Sequence, residues 1–279
     1  MKFAIIAAGE MGSGIGARLH EHGAEVMTSL AGRGAASAER ARRAGMVAID
    51  DDEALIAASD VVLSILPPSE AVALAQRLAP ALARRGGRVL YADCNAVAPE
   101  TVRHVAALVD AAGARFVDIG IIGGPPRPPA YSPHLYASGA AAIELRVLKE
   151  FGLDIRPIEG GIGAASALKL AYASMTKGLT AIAIATARGA ANGGAAAALR
   201  AEFAESQPQL FAWLQRQIPT MPPKAYRWVG EMAEIARFLG EDATAELFAG
   251  AAHVYDGIAE RWAESGETGL GFLADLYRR

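Results

Sequence analysis

This sequence has little cysteine, no excess of basic charge and few long apolar runs. Its 279 residues include one cysteine, Cys94, which excludes an intrachain disulfide framework and a metal site built from several cysteines. The formal net charge is −3 at pH 7, whereas a nucleic-acid-binding domain normally carries a basic excess. We therefore expect no bound metal and no nucleic-acid partner.

No stretch reaches the roughly 18 uncharged apolar residues of a membrane span, because Lys169 and Lys177 interrupt the most apolar segment. The apolar run at the start stops at Gly9, which is too early for the core of a secretory signal. We expect no membrane partner and a cytoplasmic location. Apolar residues are abundant, 52% against 20% charged, so the chain can build a large core.

Short apolar runs alternate with helix-like segments along the first part of the chain. The runs are rich in Val, Ile or Leu and are bounded by Gly, Pro, Asp or Asn, which indicates strands. Strands are predicted at residues 2–7, 24–29, 61–66, 88–92 and 115–119, with further candidates at 135–138 and 153–158. Helices predicted between them include 13–21, 36–43 and 70–82. Strands that are apolar along their whole length predict a mostly parallel sheet covered on both faces.

The pattern changes after about residue 160, where the strand signals end. One long helix is predicted over 163–187, and its apolar surface predicts burial on all sides, in part against a second subunit. Further helices are predicted at 195–205, 209–217, 226–239, 243–258 and 271–277. The predicted fold class is therefore α/β, with a doubly wound, mostly parallel domain at 1–160 and an all-helical domain at 161–279.

A glycine-rich turn follows the first predicted strand directly and opens the first helix. Its residues Gly9, Glu10, Met11 and Gly12 match the Gly-x-Gly-x-x-Gly fingerprint of Rossmann dinucleotide-binding domains, with Ala7 in place of the first glycine. Gly9 would let a pyrophosphate approach the backbone, and Gly12 would allow close packing of helix on strand. The alternative is a glycine turn without a ligand, but its place at a strand–turn–helix junction favours the nucleotide.

The second predicted strand ends without the acidic residue that an NAD enzyme uses to hold the ribose hydroxyls. The sequence has no acid between Glu25 and Arg33. Ser29 and Arg33 would instead bind a 2′-phosphate, with Ser37 or Arg40 assisting. The sequence favours NADP, with NAD as the other option, and an ordinary solvated arginine at Arg33 is the alternative.

Two more strand ends fall at the same predicted edge of the sheet. Leu66 and Pro67 close the strand at 61–66, and Asn95 follows the strand at 88–92. Ligands of doubly wound sheets bind beyond the carboxyl ends of the strands, so these residues are candidate contacts for the ribose and the nicotinamide. A purely structural role in its loop is the alternative for Asn95.

Lys169 lies in the most apolar predicted helix. An ammonium group in such surroundings is costly unless a partner or a wet cleft receives it, and an amine so placed is suited to proton exchange. Helical spacing puts Lys169, Tyr172, Ala173 and Thr176 on one face. We expect Lys169 to take the proton of a substrate hydroxyl as hydride leaves its carbon. A lysine that extends its ammonium to the surface is the alternative.

Four segments together resemble the β-hydroxyacid dehydrogenases, the superfamily of 6-phosphogluconate and 3-hydroxyisobutyrate dehydrogenases, in a branch of 6-phosphogluconate-dehydrogenase-like NAD(P)-binding proteins. In the family's order these segments are 9–12, 93–99, 116–124 and 163–169, and residues 226–232 are similar to the branch's C-terminal domain. The resemblance implies an N-terminal Rossmann domain, a helical domain that often dimerises, and Lys169 as general acid and base.

The chain departs from this family at three places. Ala173 stands where the family usually has an asparagine, Asn95 where it has a serine, and Ile122 where the serine of its Ser-Gly-Gly substrate loop would be. Groups that contact the substrate are therefore missing or exchanged, which gives a standard 3-hydroxy acid less support. Asn95 would take the place of the family serine in orienting substrate or nicotinamide, and is a catalytic candidate beside Lys169.

Substitute contacts for a substrate are available nearby. Gly123 and Gly124, the glycines of the substrate loop, are candidate substrate contacts. Arg127, in the proline-stiffened loop that follows them, would clamp a carboxylate, and a solvated arginine is the alternative. Tyr172 and Lys177 would line a substrate cleft, or would pair within the helical domain.

The sequence as a whole predicts an NADP-dependent oxidoreductase that interconverts a hydroxyl and a carbonyl group in a small polar acid, as a homodimer formed through the helical domain. Two other functions stay open. One is imine reduction on the same scaffold, over which Lys169 favours alcohol chemistry. The other is a dinucleotide-binding sensor or partner protein without turnover, which Ala173 and Ile122 favour.

Overall fold

A computed structural model describes residues 1–127 and 131–278 of the chain. It divides into two compact units, Met1–Leu170 and Ala171–Arg279. The division falls inside a long helix, whereas the sequence places the domain boundary ahead of that helix, at residue 160. The functional domain assignment stays a prediction.

The first unit alternates strands and helices. Its strands are β1 (Lys2–Ile6), β2 (Glu25–Ser29), β3 (Val47–Ile49), β4 (Val61–Ser64), β5 (Leu90–Asp93), β6 (Arg115–Ile122), β7 (His134–Ser138) and β8 (Asp154–Pro157). Its helices are α1 (Glu10–Glu21), α2 (Ala35–Arg43), α3 (Asp52–Ala58), α4 (Ala71–Arg85) and α5 (Pro99–Ala111). A 3₁₀ segment, Ala142–Lys149, connects β7 to β8.

The strands form one sheet of eight, in the order β3-β2-β1-β4-β5-β6-β7-β8. All neighbours are parallel except β6 and β7. From β1 the chain order runs through β2 to β3 on one side of the sheet, and from β4 to β8 on the other. The sheet therefore has the topological switch point at which doubly wound folds bind ligands. The predicted α/β class with a mostly parallel sheet is confirmed.

Both faces of the sheet are covered, as the continuous apolar strands predict. Successive residues of β1 enter two different cores: Phe3 and Ile5 pack with Ile15 and Leu19 of α1, whereas Ala4 and Ile6 pack in a second core. Side chains from α3, α4 and α5 complete that second core. Such strands cannot be solvated on either face, which explains why polar residues are rare in them.

The second unit is helical. The long helix α6 (Ala164–Asn192) begins in the first unit and continues into the second. It is followed by α7 (Ala196–Ser206), α8 (Pro208–Gln217), α9 (Ala225–Leu239), α10 (Ala243–Ser265) and α11 (Gly271–Tyr277). Across residues 1–127 and 131–278, every helix is too short or too polar to serve as a membrane span.

The structure corrects the sequence-based expectations at three points. β3 has only three residues, two of them exposed at the sheet edge, so it lacked a strand signal. The strand predicted at 61–66 ends at Ser64, because the N–H of Leu66 bonds to a side chain instead of a neighbouring strand. The long apolar helix is not buried on all sides of the single chain: Tyr172, Met175 and Ile182 are more than half exposed.

Candidate functional site

The loops that follow the parallel strands leave the sheet at one edge, because β1, β2, β4, β5 and β6 all run in the same direction. This edge therefore carries the sequence-predicted residues of the first unit that end or follow strands, which are Gly9, Glu10, Met11, Gly12, Ser29, Arg33, Leu66, Pro67, Asn95, Gly123, Gly124 and Arg127. Lys169 lies in the first unit on α6, and Tyr172 and Lys177 lie on the same helix in the second unit.

The glycine turn has the form that a dinucleotide requires. Gly9 stands at the N-terminus of α1, and a β-carbon added there would meet no atom of the described residues within 4 Å, which leaves room for a phosphate. A β-carbon at Gly12 would overlap the carbonyl oxygen of Ala7, so only glycine lets α1 pack this closely on the turn. The side chain of Ser13 donates to the Gly9 carbonyl at 2.6 Å and fixes the turn.

The start of α1 offers backbone N–H groups to an anion. Within the described residues, α1 has no side chain that caps its N-terminus, and Gly9 takes an extended backbone there. The first N–H groups of a helix have no partner inside the helix, and the helix dipole is positive at this end. These residues fit the pyrophosphate of a nicotinamide dinucleotide.

Two arginines lie near the end of β2, in different settings. Arg33 is exposed in the turn that follows Ser29. Arg40, on α2, is half-buried, and its Nε donates to the carbonyl oxygen of Ala8 in the glycine turn at 3.0 Å. Its Nη2 donates to Ser37 Oγ at 3.2 Å. The sequence predicts only an assisting role for Arg40, but of these two arginines Arg40 is the one that the structure shows bonded to the turn.

Asn95 is buried and links the ends of β4 and β5. Its Oδ1 accepts a hydrogen bond from the N–H of Leu66 (2.6 Å), and its Nδ2 donates to Ser64 Oγ (2.9 Å) and Asp93 Oδ2 (3.0 Å). Its own N–H donates to Asp93 Oδ1 (3.0 Å). Because both polar atoms of the amide have partners, Asn95 holds the Leu66 loop in place, and its direct contact with nicotinamide or substrate stays a prediction.

Two ionisable groups on β5 and after it are buried. Burial raises the pKa of Asp93 to about 7, and the nearby Asp118 adds to the rise, while the hydrogen bonds from Asn95 oppose it. Burial also raises the pKa of the Cys94 thiol well above its ordinary value. Cys94 is therefore protonated at neutral pH and is not a nucleophile there.

The loop after β6 is fastened to the nucleotide-binding helix. Arg127 and Tyr131 exchange two backbone hydrogen bonds of 3.0 Å, and Arg18 of α1 donates to the carbonyl oxygens of both, at 3.1 and 3.2 Å. The hydroxyl of Tyr131 accepts the N–H of Gly124 at 3.0 Å. The loop base is thus fixed, the side chain of Arg127 is exposed, and the prolines at 128–129 lie outside the described residues.

Lys169 lies against the carboxyl half of β6. A β-carbon added at Gly120 would overlap the carbonyl oxygen of Ala165 and would lie 3.0 Å from the β-carbon of Lys169. Glycine at position 120 therefore allows this turn of α6 to lie directly on the strand. Lys169 is half-buried. The strand registers place Asp118 level with Ile6 at the end of β1, and Gly120 is two residues beyond Asp118. The turn of α6 that carries Lys169 therefore lies near the sheet edge at which the glycine turn opens.

The other two candidates on α6 differ from each other. Tyr172 is 52% exposed. The ammonium of Lys177 forms an ion pair with Glu231, lies 4.8 Å from the ring centre of Trp228, and is largely buried. The structure thus supports pairing within the helical unit for Lys177, one of the two alternatives that the sequence left open.

Sequence reasoning assigned no role to Arg18, Tyr131 or Asp118. Arg18 acts on main-chain oxygens 109 and 113 residues further along the chain, which no local pattern reveals, and the bond between Tyr131 and Gly124 joins residues seven apart in a loop. Asp118 did give a signal, because it is an acid within the apolar run of β6, and a buried carboxylate needs hydrogen-bonding partners.

Comparisons with known proteins agree with this architecture. The NAD binding domain of 6-phosphogluconate dehydrogenase matches residues 2–142, and a domain of unknown function (DUF1932) matches residues 190–258. An uncharacterized 28.5 kDa protein in the 7S RNA 5′ region of Methanothermus fervidus is 30% identical over 182 residues, which are 65% of this chain and 68% of that protein.

Solved structures extend the likeness over nearly the whole chain. A conserved protein of unknown function, reported as similar to 3-hydroxyacid dehydrogenases, is 28% identical with a TM-score of 0.73 (93% of this chain, 97% of that one). Mycobacterium tuberculosis 3-hydroxyisobutyrate dehydrogenase with L-serine is 21% identical with a TM-score of 0.71 (99% and 97%). An imine reductase from Myxococcus stipitatus in complex with NADP⁺ is 18% identical with a TM-score of 0.58 (99% and 99%). The last two likenesses concern the fold alone.

The family match begins at β1 and takes in three of the four segments on which the sequence resemblance rested, 9–12, 93–99 and 116–124, while the segment 163–169 lies beyond it. That resemblance is confirmed, and so is an NAD-binding domain at the N-terminal end. The chain belongs to the family of proteins that carry the NAD binding domain of 6-phosphogluconate dehydrogenase.

Proposed function

We propose that this protein is an NADP-dependent oxidoreductase that interconverts a hydroxyl and a carbonyl group in a small polar acid, with Lys169 as general acid and base. The observation that carries the proposal is the packing of Lys169 on Gly120, with 3.0 Å between the lysine β-carbon and an added glycine β-carbon. This packing starts the lysine side chain beside the sheet edge that holds the dinucleotide turn.

A nicotinamide coenzyme, when bound at the glycine turn, supplies the acceptor or donor of hydride. The amine of Lys169 takes the proton of the substrate hydroxyl, so that the O–H bond breaks as the carbonyl bond forms. In the reverse direction its ammonium returns that proton to the oxygen. A positioned acid or base of this kind contributes about 10²- to 10⁴-fold to the rate.

The loop after β6 is the proposed contact for the acid group of the substrate. The exposed guanidinium of Arg127 binds a carboxylate in two-point fashion, and Gly123 and Gly124 let the substrate approach the backbone. The anchored loop base supports this role, because a fixed loop loses little entropy when it binds.

The preference for NADP rests on charge at the end of β2. Ser29 and Arg33 bind the 2′-phosphate, and Arg40 adds a cation beside the glycine turn. The stretch from Ser29 to Arg33 has no carboxylate that would repel the phosphate.

The test is a screen of hydroxy acids, keto acids, ketones and imines with NADP(H) and NAD(H). We expect turnover with at least one hydroxy acid or keto acid, and a loss of about 100-fold or more in Lys169→Ala, with NADPH affinity unchanged. Lys224→Ala, which changes an exposed lysine, is the matched control and should keep full turnover. Full turnover in Lys169→Ala would rule out the proposed acid–base role.

The same screen separates the other two functions. Imine reduction is the second candidate, supported by the fold shared with an imine reductase that binds NADP⁺. Turnover of imines alone would favour it. Binding of NADPH without turnover of any compound would favour a sensor or partner protein.

We further propose that the protein forms a homodimer through its helical unit. The support is an apolar stripe on α6, where Tyr172, Met175 and Ile182 are 52%, 71% and 53% exposed. Sedimentation equilibrium should give a dimer, and Met175→Glu should give a monomer. Leu247→Glu, a change at a leucine on α10 that is 56% exposed, should leave the dimer intact. A monomeric wild-type protein would contradict the proposal.

A further inference from the structure

Asp118 is a fully buried carboxylate in the middle of β6, and it accepts four hydrogen bonds from residues outside that strand. Its Oδ1 accepts the hydroxyl of Ser166 at 2.6 Å. Its Oδ2 accepts the hydroxyl of Ser138 and the N–H groups of Gly163 and Ser166, each at 3.0 Å. A carboxylate with this number of donors is compensated for its burial.

These bonds make Asp118 the N-terminal cap of α6, although it is 45 residues or more away in sequence. The helix begins at Ala164, and the N–H groups of Gly163 and Ser166 would otherwise lack partners. The hydroxyl of Ser138, on β7, accepts the N–H of Ala165 at 3.0 Å. The first turn of α6 is therefore tied to two strands, and the negative charge suits this end of the helix.

The same strand also sets how closely the next turn of α6 approaches. Gly120 is two residues beyond Asp118, and an added β-carbon there would lie 3.0 Å from the β-carbon of Lys169. Lys169 is three residues beyond Ser166, which is about one helical turn. One strand thus fixes both the start of the helix and the height of Lys169 above the sheet.

We propose that Asp118 is a positioning residue for Lys169. Its carboxylate sets the rotation and the axial position of the first turns of α6, so that the side chain of Lys169 leaves the helix toward the edge that holds the glycine turn. The catalytic meaning of this placement rests on the function proposed for Lys169, but the placement itself is testable without a substrate.

The experiment reads the position of Lys169 directly. Reductive methylation with ¹³C-formaldehyde and a borohydride reductant labels the amine of each lysine, and two-dimensional NMR gives one dimethyl signal for each. The N-terminal amine is labelled too, and its signal is not counted among those of the lysines. The lysines are Lys2, Lys149, Lys169, Lys177 and Lys224. Loss of one signal in Lys169→Arg assigns the signal of interest. NADPH affinity is measured by fluorescence titration on unlabelled protein.

Asp118→Ala removes all four bonds, and Asp118→Asn is the conservative rescue. The asparagine oxygen accepts the three bonds made to Oδ2, and its amide nitrogen donates to a rotated Ser166 hydroxyl. We expect the Lys169 signal to move in Asp118→Ala and to return close to its wild-type position in Asp118→Asn. The other four signals and the NADPH affinity should stay unchanged in both.

Matched variants keep the test decisive. Asp242 caps α10 in the second unit, so Asp242→Ala removes a helix cap without touching α6 and should leave the Lys169 signal in place. If Asp118→Ala does not fold, Ser166→Ala removes only the 2.6 Å bond and should move the same signal by less. An unmoved Lys169 signal in the folded variant, or equal movement of all five signals, would overturn the proposal.

Turnover adds a second reading once a substrate is known. Because Lys169 would be displaced, kcat should fall about 10- to 100-fold in Asp118→Ala and should recover in Asp118→Asn. The KM for NADPH should stay unchanged in both variants. If Lys169→Ala keeps full turnover, the proposed function fails while the NMR result still decides the placement. If Lys169→Ala is inactive and Asp118→Ala has wild-type kcat, the positioning role fails alone.

Discussion

Replacing Asp93 by asparagine should remove a pH dependence that this buried carboxyl gives to the stability of the protein. Burial raises its pKa from 3.8 to about 7 in the folded chain. In the unfolded chain the pKa returns to its ordinary value. Between these two values the folded protein holds a proton that the unfolded chain has lost, so the free energy of unfolding falls as the pH rises from about 4 to about 7 and is level above that.

The size of the effect follows from the two pKa values. Each pH unit between the two pKa values changes the free energy of unfolding by about 1.4 kcal/mol. From about pH 5 to about pH 8, roughly two pH units lie below the folded pKa, so wild-type stability should fall by about 3 kcal/mol. Asparagine does not ionise and has no such slope. Its amide nitrogen would face the donor Nδ2 of Asn95 and would cost about 1 kcal/mol at every pH.

Urea unfolding followed by circular dichroism at about pH 5, 6.5 and 8 measures how the free energy of unfolding changes with pH in the wild type and in Asp93→Asn. Tryptophan fluorescence gives a separate signal for the second unit, because Trp213, Trp228 and Trp262 all lie there. Asp242→Asn is the control: hydrogen bonding to Thr244 lowers the pKa of Asp242, so this group is ionised in both states over the interval. If wild type and Asp93→Asn lose stability equally between pH 5 and pH 8, the reasoning from burial is wrong.

Two further predictions concern single arginines of the first unit. Arg33→Ala should weaken NADPH about 10-fold in fluorescence titrations and leave NADH unchanged, because only NADPH carries the 2′-phosphate; equal weakening of both coenzymes would contradict the NADP preference. Arg18→Met should lower the free energy of unfolding by about 2 kcal/mol and speed proteolysis after β6, because carbonyl oxygens of Arg127 and Tyr131 lose a charged donor. Wild-type proteolysis of the loop would show that its base does not need Arg18.

The sheet was predictable because its strands are apolar on both faces. The runs that became β1, β2, β4, β5 and β6 have this pattern, and parallel packing between helices requires it. Edge strand β3 was not predicted, because its three residues lie at a solvated edge of the sheet and do not need to be apolar on both faces. The helix α10 runs to Ser265, beyond the predicted end at 258, and ends at Gly266, whose φ of +57° suits glycine.

The candidate site was predictable where chemistry follows a strand directly, as in the glycine turn and the Asn95 loop. It was not predictable where the partner is distant in sequence. The bond from Gly163 to Asp118 and the bond from Arg40 to Ala8 join elements whose mutual placement depends on the folded sheet. A single sequence gives the residue types at these positions but not the distances between them.

The anchoring of the loop after β6 has a consequence for redesign. Arg18 holds main-chain oxygens, which every amino acid has, so the hold does not depend on the identity of residue 127. The side chain of Arg127 can therefore be replaced without loss of this anchor: with an acidic, amide or aromatic residue at that position, Arg18 would still bind the main-chain oxygen. Libraries aimed at new substrates should vary position 127 and leave Arg18 alone.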